Sequence, residues 1–240
     1  MPAITQSILA TAFYSAGGGG GGGPGPVSAV FDSVNDGGYG YWTNNGNQTT
    51  ASAFGGSVGM NSYTFPDGSS GTPYLLTGGY VIGPLINNLS SNEITINIWF
   101  YPTANNCQIV SEYGTQDPGA GYHYTVLELN SSGNIRGRFW PNGGSGLVSA
   151  NTVNLNAWNH VWYTNNASGY EQLQLNGGAI ATQTVTARQG PGSSSFAFGV
   201  SDITNIGSTN VFQGKIGYFK YNNDATTGSN YNATWSKYNI

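Results

Sequence analysis

Short segments in which apolar and polar side chains alternate constrain the fold of this chain more than any other feature. The clearest spans residues 93–100, where every second residue from Ile94 to Phe100 is apolar and the intervening Thr95 and Asn97 are polar. Successive side chains of a strand point to opposite faces of its sheet. The pattern therefore predicts a half-buried strand, with one face in a core and the other in solvent.

Similar segments recur along the chain and are separated by clusters of Gly, Asn and Ser, which are typical turn residues. Only 7% of the residues are charged. Surface helices normally carry Glu and Lys on the solvent side, so this composition argues against helices. The further predicted strands are residues 122–129, 135–140, 158–164, 170–175, 196–200 and 215–221. This organisation predicts an all-β fold, an antiparallel two-sheet sandwich.

The N-terminal region has a different character. Residues 17–23 are an unbroken run of glycine followed by a Pro-Gly-Pro sequence, which offers no side chain to bury and predicts a linker. The apolar residues before this run are Ile4, Ile8, Leu9, Phe13 and Tyr14. We expect an extended docking arm and linker at 1–26, a strand-containing connecting segment at 27–59 and the sandwich at 60–240.

Charge and hydropathy argue against several partners. The net charge is −4, with only six Lys and Arg residues, so no basic patch for a nucleic-acid backbone is expected. No apolar run is long enough to cross a bilayer, which predicts no membrane insertion. Residues 1–9 lack the basic region and continuous apolar stretch of a secretory signal. We therefore expect a virion protein that is made in the host cytoplasm and leaves it in a particle.

Four segments in order resemble one family. Residues 93–102, EITINIWFYP, resemble the early F-T-I-S-x-W-x-x-P strand of the concanavalin A-like lectin/glucanase superfamily, the laminin G-like domains found in phage and virion surface proteins. Residues 155–161, LNAWNHV, and 173–177, LQLNG, resemble its L-x-x-W-x-H-V and L-Y-V-N-G segments. Residues 212–221, FQGKIGYFKY, are similar to its closing strand. The resemblance implies a jelly-roll sandwich over residues 60–240.

The resemblance also suggests roles for single residues. Trp158 and Val161 are expected to be core anchors where a loop enters a central strand. Asn176 and Gly177 are expected to supply the positive φ of a tight hairpin. His160 is expected to be a structural residue rather than a ligand of a metal.

Catalysis is not expected. Glucanases of this fold share an acidic E-x-D-x-x-E strand in which paired carboxylates do the chemistry, whereas the glutamates of this chain are isolated from one another. These are Glu93, Glu112, Glu128 and Glu171. No Ser-His-Asp pattern and no metal-ligand spacing of His and Cys is present. We therefore assign no catalytic residue.

No cofactor or metal is assigned either. Calcium stays open, because members of the superfamily often hold it with aspartates in loops, and Asp67, Asp117 and Asp202 lie in predicted loops. Aspartates in such loops more often form turns. Cys107 is the single cysteine, which excludes an internal disulfide and predicts a small buried residue near a strand end.

Glycan recognition is the binding chemistry that the composition favours, since aromatic rings stack on sugar faces and amides bond to hydroxyl groups. The candidate patch lies in and after the loop that follows the strand near Ile109. Its residues are Tyr113, Tyr122, Tyr124, Trp140 and Asn142.

Two functions thus remain open, with a glycoside hydrolase as a weaker third. The first is a virion structural protein, a capsid-decoration, fibre or tail-associated subunit whose arm docks on other virion proteins. Such a subunit is expected to be a homo-oligomer, with a trimer favoured, and to display the sandwich for particle stabilisation or for attachment to a host-surface glycan. The second is a carbohydrate-binding, lectin-like module.

Overall fold

The computed structural model describes residues 28–33, 41–44, 47–51, 53–87, 92–114, 123–139, 146–188, 193–199, 210–225 and 237–238. Within these ranges the chain forms twenty strands. Every pair of neighbouring strands in them is antiparallel. The all-β sandwich predicted from the alternating segments is confirmed, whereas the predicted N-terminal arm lies outside the described residues.

The strands are, in chain order, β1 (Ser28–Asp32), β2 (Tyr41–Asn44), β3 (Asn47–Thr50), β4 (Ala53–Gly55), β5 (Val58–Gly59), β6 (Tyr63–Thr64), β7 (Ser70–Gly71), β8 (Tyr74–Thr77), β9 (Tyr80–Ile82), β10 (Ile86–Asn87), β11 (Ile94–Pro102), β12 (Cys107–Gly114), β13 (His123–Leu129), β14 (Asn134–Gly137), β15 (Leu147–Thr152), β16 (Asn159–Asn165), β17 (Tyr170–Leu175), β18 (Ala181–Thr184), β19 (Ser193–Phe198) and β20 (Gln213–Asn222). In these ranges no helix is long and apolar enough to span a bilayer.

Two large sheets contain nearly all of these strands. The larger sheet has the order β18-β17-β16-β11-β20-β1-β2-β3, and β8 and β5 extend it beside β20. The smaller sheet has the order β15-β14-β13-β12-β19-β9-β4, with β10 beside β19. Strands β6 and β7 form a separate hairpin.

The core lies between the inner faces of the two sheets. Phe196 of β19 lies 5.2 Å from Phe219 of β20 between ring centroids, and Trp42 of β2 stacks at 5.6 Å on Phe198 of β19. Each contact joins a strand of one sheet to a strand of the other, as sandwich packing requires. The residues of β11 that enter this core are Ile94, Ile96, Ile98 and Phe100.

The prediction that residues 93–100 are half-buried was wrong, because both faces of β11 are covered. Thr95, Asn97 and Trp99, which face away from the core, are only 1%, 4% and 0% exposed. Tyr238 stacks on Trp99 with 4.3 Å between ring centroids. Alternation shows that two faces differ in polarity, but it does not show what covers the polar one.

A second aromatic cluster forms on this outer face around Trp99. Its fully or nearly buried members are Phe65, Trp99, Trp158 and Tyr238. Trp158 is therefore buried as predicted, but it packs in this cluster, whereas Val161 lies in the core between the sheets. The predicted hairpin turn is also confirmed, since Asn176 and Gly177 have φ angles of 50° and 66°.

Residues 28–59 contribute strands to both sheets. Strand β1 lies in the larger sheet between β20 and β2. In its pairing with β20, Phe31 is opposite Phe219. Strand β4 pairs with β9 at the end of the smaller sheet. The described strands of residues 28–59 are thus hydrogen-bonded to strands of the sandwich.

Among the ion pairs of the described residues, the pair of Arg188 and Glu112 is the most deeply buried. Arg188, whose side chain is 0% exposed, donates to Glu112 of β12, whose side chain is 6% exposed. The guanidinium carbon of Arg188 also lies 5.7 Å from the ring centroid of Phe139. A buried charge that loses its partner is strongly destabilising, whereas replacing both charges with apolar residues often is not.

We expect Glu112→Leu alone to lower the free energy of unfolding by about 3–5 kcal/mol, because it leaves the Arg188 charge buried without its carboxylate. The double variant Glu112→Leu, Arg188→Met should recover most of that loss. Urea denaturation of wild type, of Glu112→Leu and Arg188→Met as single variants and of the double variant measures the difference, with Val148→Ala, at a 41% exposed position, as a control. A double variant that is as unstable as the sum of the two single ones would contradict the pairing.

Candidate functional site

The predicted glycan patch falls only partly within the described residues. Tyr122, Trp140 and Asn142 lie outside them, and only the backbone of Tyr113 and Tyr124 is described. In the register of β12 and β13, Tyr113 is opposite His123 and Tyr124 is opposite Glu112. The fold therefore brings these two tyrosines to neighbouring positions on adjacent strands, and the patch itself stays a prediction.

A different site is formed on the outer face of the larger sheet, where β11, β16 and β17 lie side by side. The cleft has a volume of about 220 Å³ and is lined by Glu93, Thr164, Asn166, Tyr170, Gln172 and Ala225. We call this site the edge cleft. Pockets for drug-sized ligands measure about 300–1,000 Å³, so the edge cleft has room for a single small ring.

Strand register places the residues of the edge cleft in two rows. Thr95 is opposite Thr164 in the β11–β16 pair, and Thr164 is opposite Gln172 in the β16–β17 pair. Glu93 and Asn166 flank these strands at one end, and Tyr170 begins β17 at the same end. One row is Thr95, Thr164 and Gln172, and the other is Glu93, Asn166 and Tyr170. Each residue of the second row is two positions from a residue of the first, and alternate residues share a face, so both rows point to the same side of the sheet.

The floor of the edge cleft is fixed by hydrogen bonds. The Thr164 hydroxyl donates to the Ile94 carbonyl oxygen at 2.9 Å. The Thr95 hydroxyl donates to the Asp224 carbonyl oxygen at 2.6 Å, which holds the chain after β20 across β11 and brings Ala225 to the cleft. Both hydroxyl hydrogens are therefore used within the protein, and the floor is a structural surface.

One wall of the edge cleft is the turn that joins β16 to β17. The Asn166 side-chain oxygen accepts hydrogen bonds from the Ser168 and Tyr170 backbone N–H groups, both at 2.9 Å. This arrangement closes the turn and leaves the Nδ2 group of Asn166 as the part of the amide that can donate to a ligand. The turn also fixes the backbone of Tyr170, an aromatic residue that is 39% exposed.

The polar groups that line the edge cleft are of complementary types. Glu93 offers carboxylate oxygens, one of which accepts the Ala167 N–H at 3.3 Å. Gln172 offers an amide with both a donor and an acceptor, and Tyr170 offers a ring face and a hydroxyl. The cleft thus combines the partly exposed ring of Tyr170 with polar groups that can hydrogen-bond to hydroxyls. This combination is typical of a sugar-binding surface.

Sequence reasoning missed this site, although its residues occupy regular positions. Tyr170 and Gln172 are alternate positions of one predicted strand, and Glu93 begins another. The alternation of these positions in the sequence indicated that Tyr170 and Gln172 share one face of a strand. Recognising it required the strand order β11-β16-β17, which brings residues more than 70 positions apart into one row.

Of the three aspartates named as candidate calcium ligands, the structure describes Asp67. The Asp67 carboxylate accepts hydrogen bonds from the Ser69 N–H at 2.9 Å and the Ser69 hydroxyl at 2.6 Å, which makes it a turn former. Asp117 and Asp202 lie outside the described residues. Within the described part of the chain, no three or more His, Cys, Asp and Glu side chains are grouped as metal ligands would be.

Cys107 and His160 are both buried. Cys107 begins β12 and is 3% exposed, and burial raises the pKa of its thiol to about 12. The His160 ring is 1% exposed and lies 4.9 Å from the Trp99 ring between centroids. Burial lowers the pKa of His160 to about 3, so the imidazole is neutral at physiological pH. These environments agree with the structural roles expected for both residues.

A model of the family described as the concanavalin A-like lectin/glucanases superfamily matches residues 76–230, more than half of the chain. The chain therefore belongs to that superfamily, as the four sequence segments indicated. No curated protein matches the sequence.

Solved structures with the same fold share little sequence with this chain. Domain 4 of an extracellular arabinanase from Geobacillus stearothermophilus, solved with arabinotriose, is 15% identical with a TM-score of 0.54, and the match covers 84% of this chain and 94% of that domain. The binding domain of botulinum neurotoxin serotype C1 is 14% identical with a TM-score of 0.53, over 84% of this chain and 49% of that one. A Trypanosoma rangeli sialidase mutant with trans-sialidase activity is 15% identical with a TM-score of 0.51, and the match covers 85% of this chain but 31% of the sialidase. These likenesses establish the fold.

The burial of His160 makes stability depend on pH. The unfolded chain takes up this proton near pH 6.5, whereas the folded chain takes it up only near 3. Stability from neutral His160 is thus fully present above pH 6.5 and is lost as the pH falls toward 3, by about 1.4 kcal/mol per pH unit. Urea denaturation from pH 7 to 4.5 should give a shallower dependence for His160→Gln than for wild type. Equal slopes, or an NMR titration of His160 near pH 6.5, would contradict this.

Proposed function

We propose that this chain is a non-enzymatic, carbohydrate-binding module whose sugar site is the edge cleft. The observation that carries the proposal is the exposed Tyr170 ring standing beside the polar groups of Glu93, Asn166 and Gln172. Sugar rings have apolar faces that stack on aromatic rings and hydroxyl edges that need both donors and acceptors. The related fold of the arabinanase domain was solved with arabinotriose, so this sandwich is compatible with saccharide binding.

The positions of the glutamates support binding rather than hydrolysis. Glu112 is paired with Arg188, and Glu128 is paired with Arg136 and Arg138. Each of these carboxylates is held by arginine.

Glu171 is likewise engaged within the protein. It accepts hydrogen bonds from the Tyr163 hydroxyl at 3.0 Å and from the Gln183 amide at 2.6 Å, and burial raises its pKa. Glu93 is thus the one glutamate that lines the edge cleft. Glycoside hydrolysis normally uses two carboxyl groups on opposite sides of the bond that breaks, and a single glutamate supplies only one of them.

We further propose that the sandwich is displayed on a virion, as a capsid-decoration, fibre or tail-associated subunit. The supporting observation is the glycine run at 17–23, which separates an apolar N-terminal segment from the sandwich. A glycine-rich sequence is typical of a linker, and a linker at this place would let the N-terminal segment dock on other virion proteins while the sandwich stays accessible to a host-surface glycan. A homo-oligomer, with a trimer favoured, would raise the effective concentration of weak sugar sites.

The sugar site is tested by replacing its aromatic ring. Tyr170→Ala should weaken binding to a saccharide ligand by about tenfold or more, because the stacking face is lost. Tyr170→Phe should retain most of the affinity. Phe54→Ala removes another exposed aromatic ring, 46% exposed on the smaller sheet, and serves as the matched control. Isothermal titration against the best ligand from a glycan array gives the affinities, and unchanged binding by Tyr170→Ala would refute the edge cleft as the site.

The virion proposal is tested by removing residues 1–26. The shortened chain should keep its far-UV circular dichroism spectrum and its saccharide affinity, because the described strands begin at Ser28. It should lose incorporation into particles, measured by co-sedimentation of the labelled chain with virions assembled in its presence. Incorporation equal to that of the full chain would refute the role of the arm.

A further inference from the structure

We propose that Lys215, held against Tyr63 and Tyr101 on the outer face of the larger sheet, binds the anionic group of an acidic sugar. The ligand is a sugar unit that carries a carboxylate or a sulfate ester. We call these three residues the lysine–tyrosine site. The inference goes beyond the proposed function, because Tyr101 lies six residues after Thr95 of the edge cleft on β11, or about 20 Å along an extended strand.

Strand pairing brings the cation and one of the rings together. Lys215 of β20 is opposite Tyr101 of β11 on one side and opposite Leu75 of β8 on the other. Tyr101 packs against the aromatic cluster of the outer face that contains Trp99. Tyr63 reaches the same cluster from the separate hairpin of β6 and β7. The three residues of the site therefore come from three different parts of the chain.

The positions of the two rings are fixed by packing. The Lys215 Nζ lies 4.0 Å from the ring centroid of Tyr101 and 5.2 Å from that of Tyr63. Trp158, which is only 3% exposed, meets both tyrosine rings edge to face, at 5.7 Å and 5.9 Å between centroids. The ammonium is thus held at a defined place before any ligand arrives, which lowers the entropic cost of binding.

The charge of Lys215 is attracted by the rings but is not neutralised by them. Aromatic faces carry no net charge, and an ammonium has three N–H donors. Within the described part of the chain, the carboxylates that form ion pairs do so with Arg136, Arg138, Arg188 and Lys237. Burial lowers the pKa of Lys215, because loss of water disfavours the charged form. A bound anion would offset that cost.

The surroundings of the ammonium favour a sugar as the carrier of the anion. Lys215, Tyr63 and Tyr101 are all partly exposed. The anionic group would accept charge-assisted hydrogen bonds from the ammonium, while the apolar face of the sugar ring packs on the tyrosines. One lysine is a compact single charge, which matches a carboxylate or a sulfate ester better than a doubly charged phosphate. A flexible acidic peptide would lose more conformational entropy than a rigid sugar ring.

The experiment compares sugars that differ in one substituent. Methyl glucuronide carries a carboxylate, methyl glucoside 6-sulfate carries a sulfate and methyl glucoside carries neither, and ligand-observed NMR titration of the full chain gives each affinity. At least one of the two acids should bind at least about fivefold more tightly than the neutral glucoside at low ionic strength. Added salt should reduce this preference, because it screens the attraction. The acid that binds identifies the anionic group.

Lys215→Met is the diagnostic variant, since it keeps an unbranched side chain and removes the charge. It should bring the affinities for the acidic and the neutral sugar to within about twofold of each other. Lys215→Arg keeps a cation beside the rings and should keep the preference. Lys220→Met is the matched control, because it removes the same charge from β20 at a position opposite Asn97 and should leave the preference unchanged. Circular dichroism checks that all three variants are folded.

The unsubstituted chain provides a second measurement that does not depend on the folding of a variant. Its three lysines are Lys215, Lys220 and Lys237. Reductive methylation with carbon-13-labelled formaldehyde attaches two methyl groups to each amine and keeps its charge. The methyl signal of Lys215, assigned with Lys215→Arg, should shift as the acidic sugar binds, whereas the signals of Lys220 and Lys237 should stay in place.

Several results would overturn the inference. These are equal affinities for acidic and neutral sugars, a preference that Lys215→Met leaves unchanged or that Lys220→Met abolishes, and a Lys215 methyl signal that does not move when the acid is bound. Triglutamate that binds as tightly as the acidic sugar would overturn the choice of a sugar. Acid binding that Tyr170→Ala abolishes and Lys215→Met retains would place the acidic sugar in the edge cleft, so this inference would fail while the proposed function stands.

Discussion

The burial of both faces of β11 is the constraint on which the rest of the structure depends. One face supplies alternate apolar side chains to the core between the sheets, and the other packs Trp99 against Tyr238 and its neighbours. Backbone hydrogen bonding to β16 and β20 satisfies both edges of the strand. A shift of β11 by one residue would move Thr95 and Asn97 into the apolar core between the sheets and the isoleucines out of it, so the strand is held in one register. It therefore serves as the fixed reference for its neighbours.

The edge cleft follows from that fixed register. Pairing of Thr95 with Thr164, and of Thr164 with Gln172, sets which outward side chains become neighbours across the three strands. The cleft residues then come together at the strand ends, where Asn166 closes the turn and orients Tyr170. A site built on paired strands is held more rigidly than one on a loop, so less conformational entropy is lost when a small ligand binds.

The sequence was sufficient to predict the sandwich because the information is local. Alternation in residues 93–100 and the Asn176-Gly177 turn each act within a few residues, and the structure confirms both the strand and the turn. Burial of the outer face was not predictable in the same way. It depends on Phe65 and Tyr238, which lie far from Trp99 in the chain and reach it only through the folded topology. The edge cleft escaped prediction for that same reason.

The glutamates of this low-charge chain are accommodated in two different ways. Glu112 is held by Arg188 between buried surfaces, where an isolated charge would be unstable. Glu93 lies at a strand end on a half-exposed surface, where its carboxylate accepts the Ala167 N–H and solvent reduces the cost of the charge.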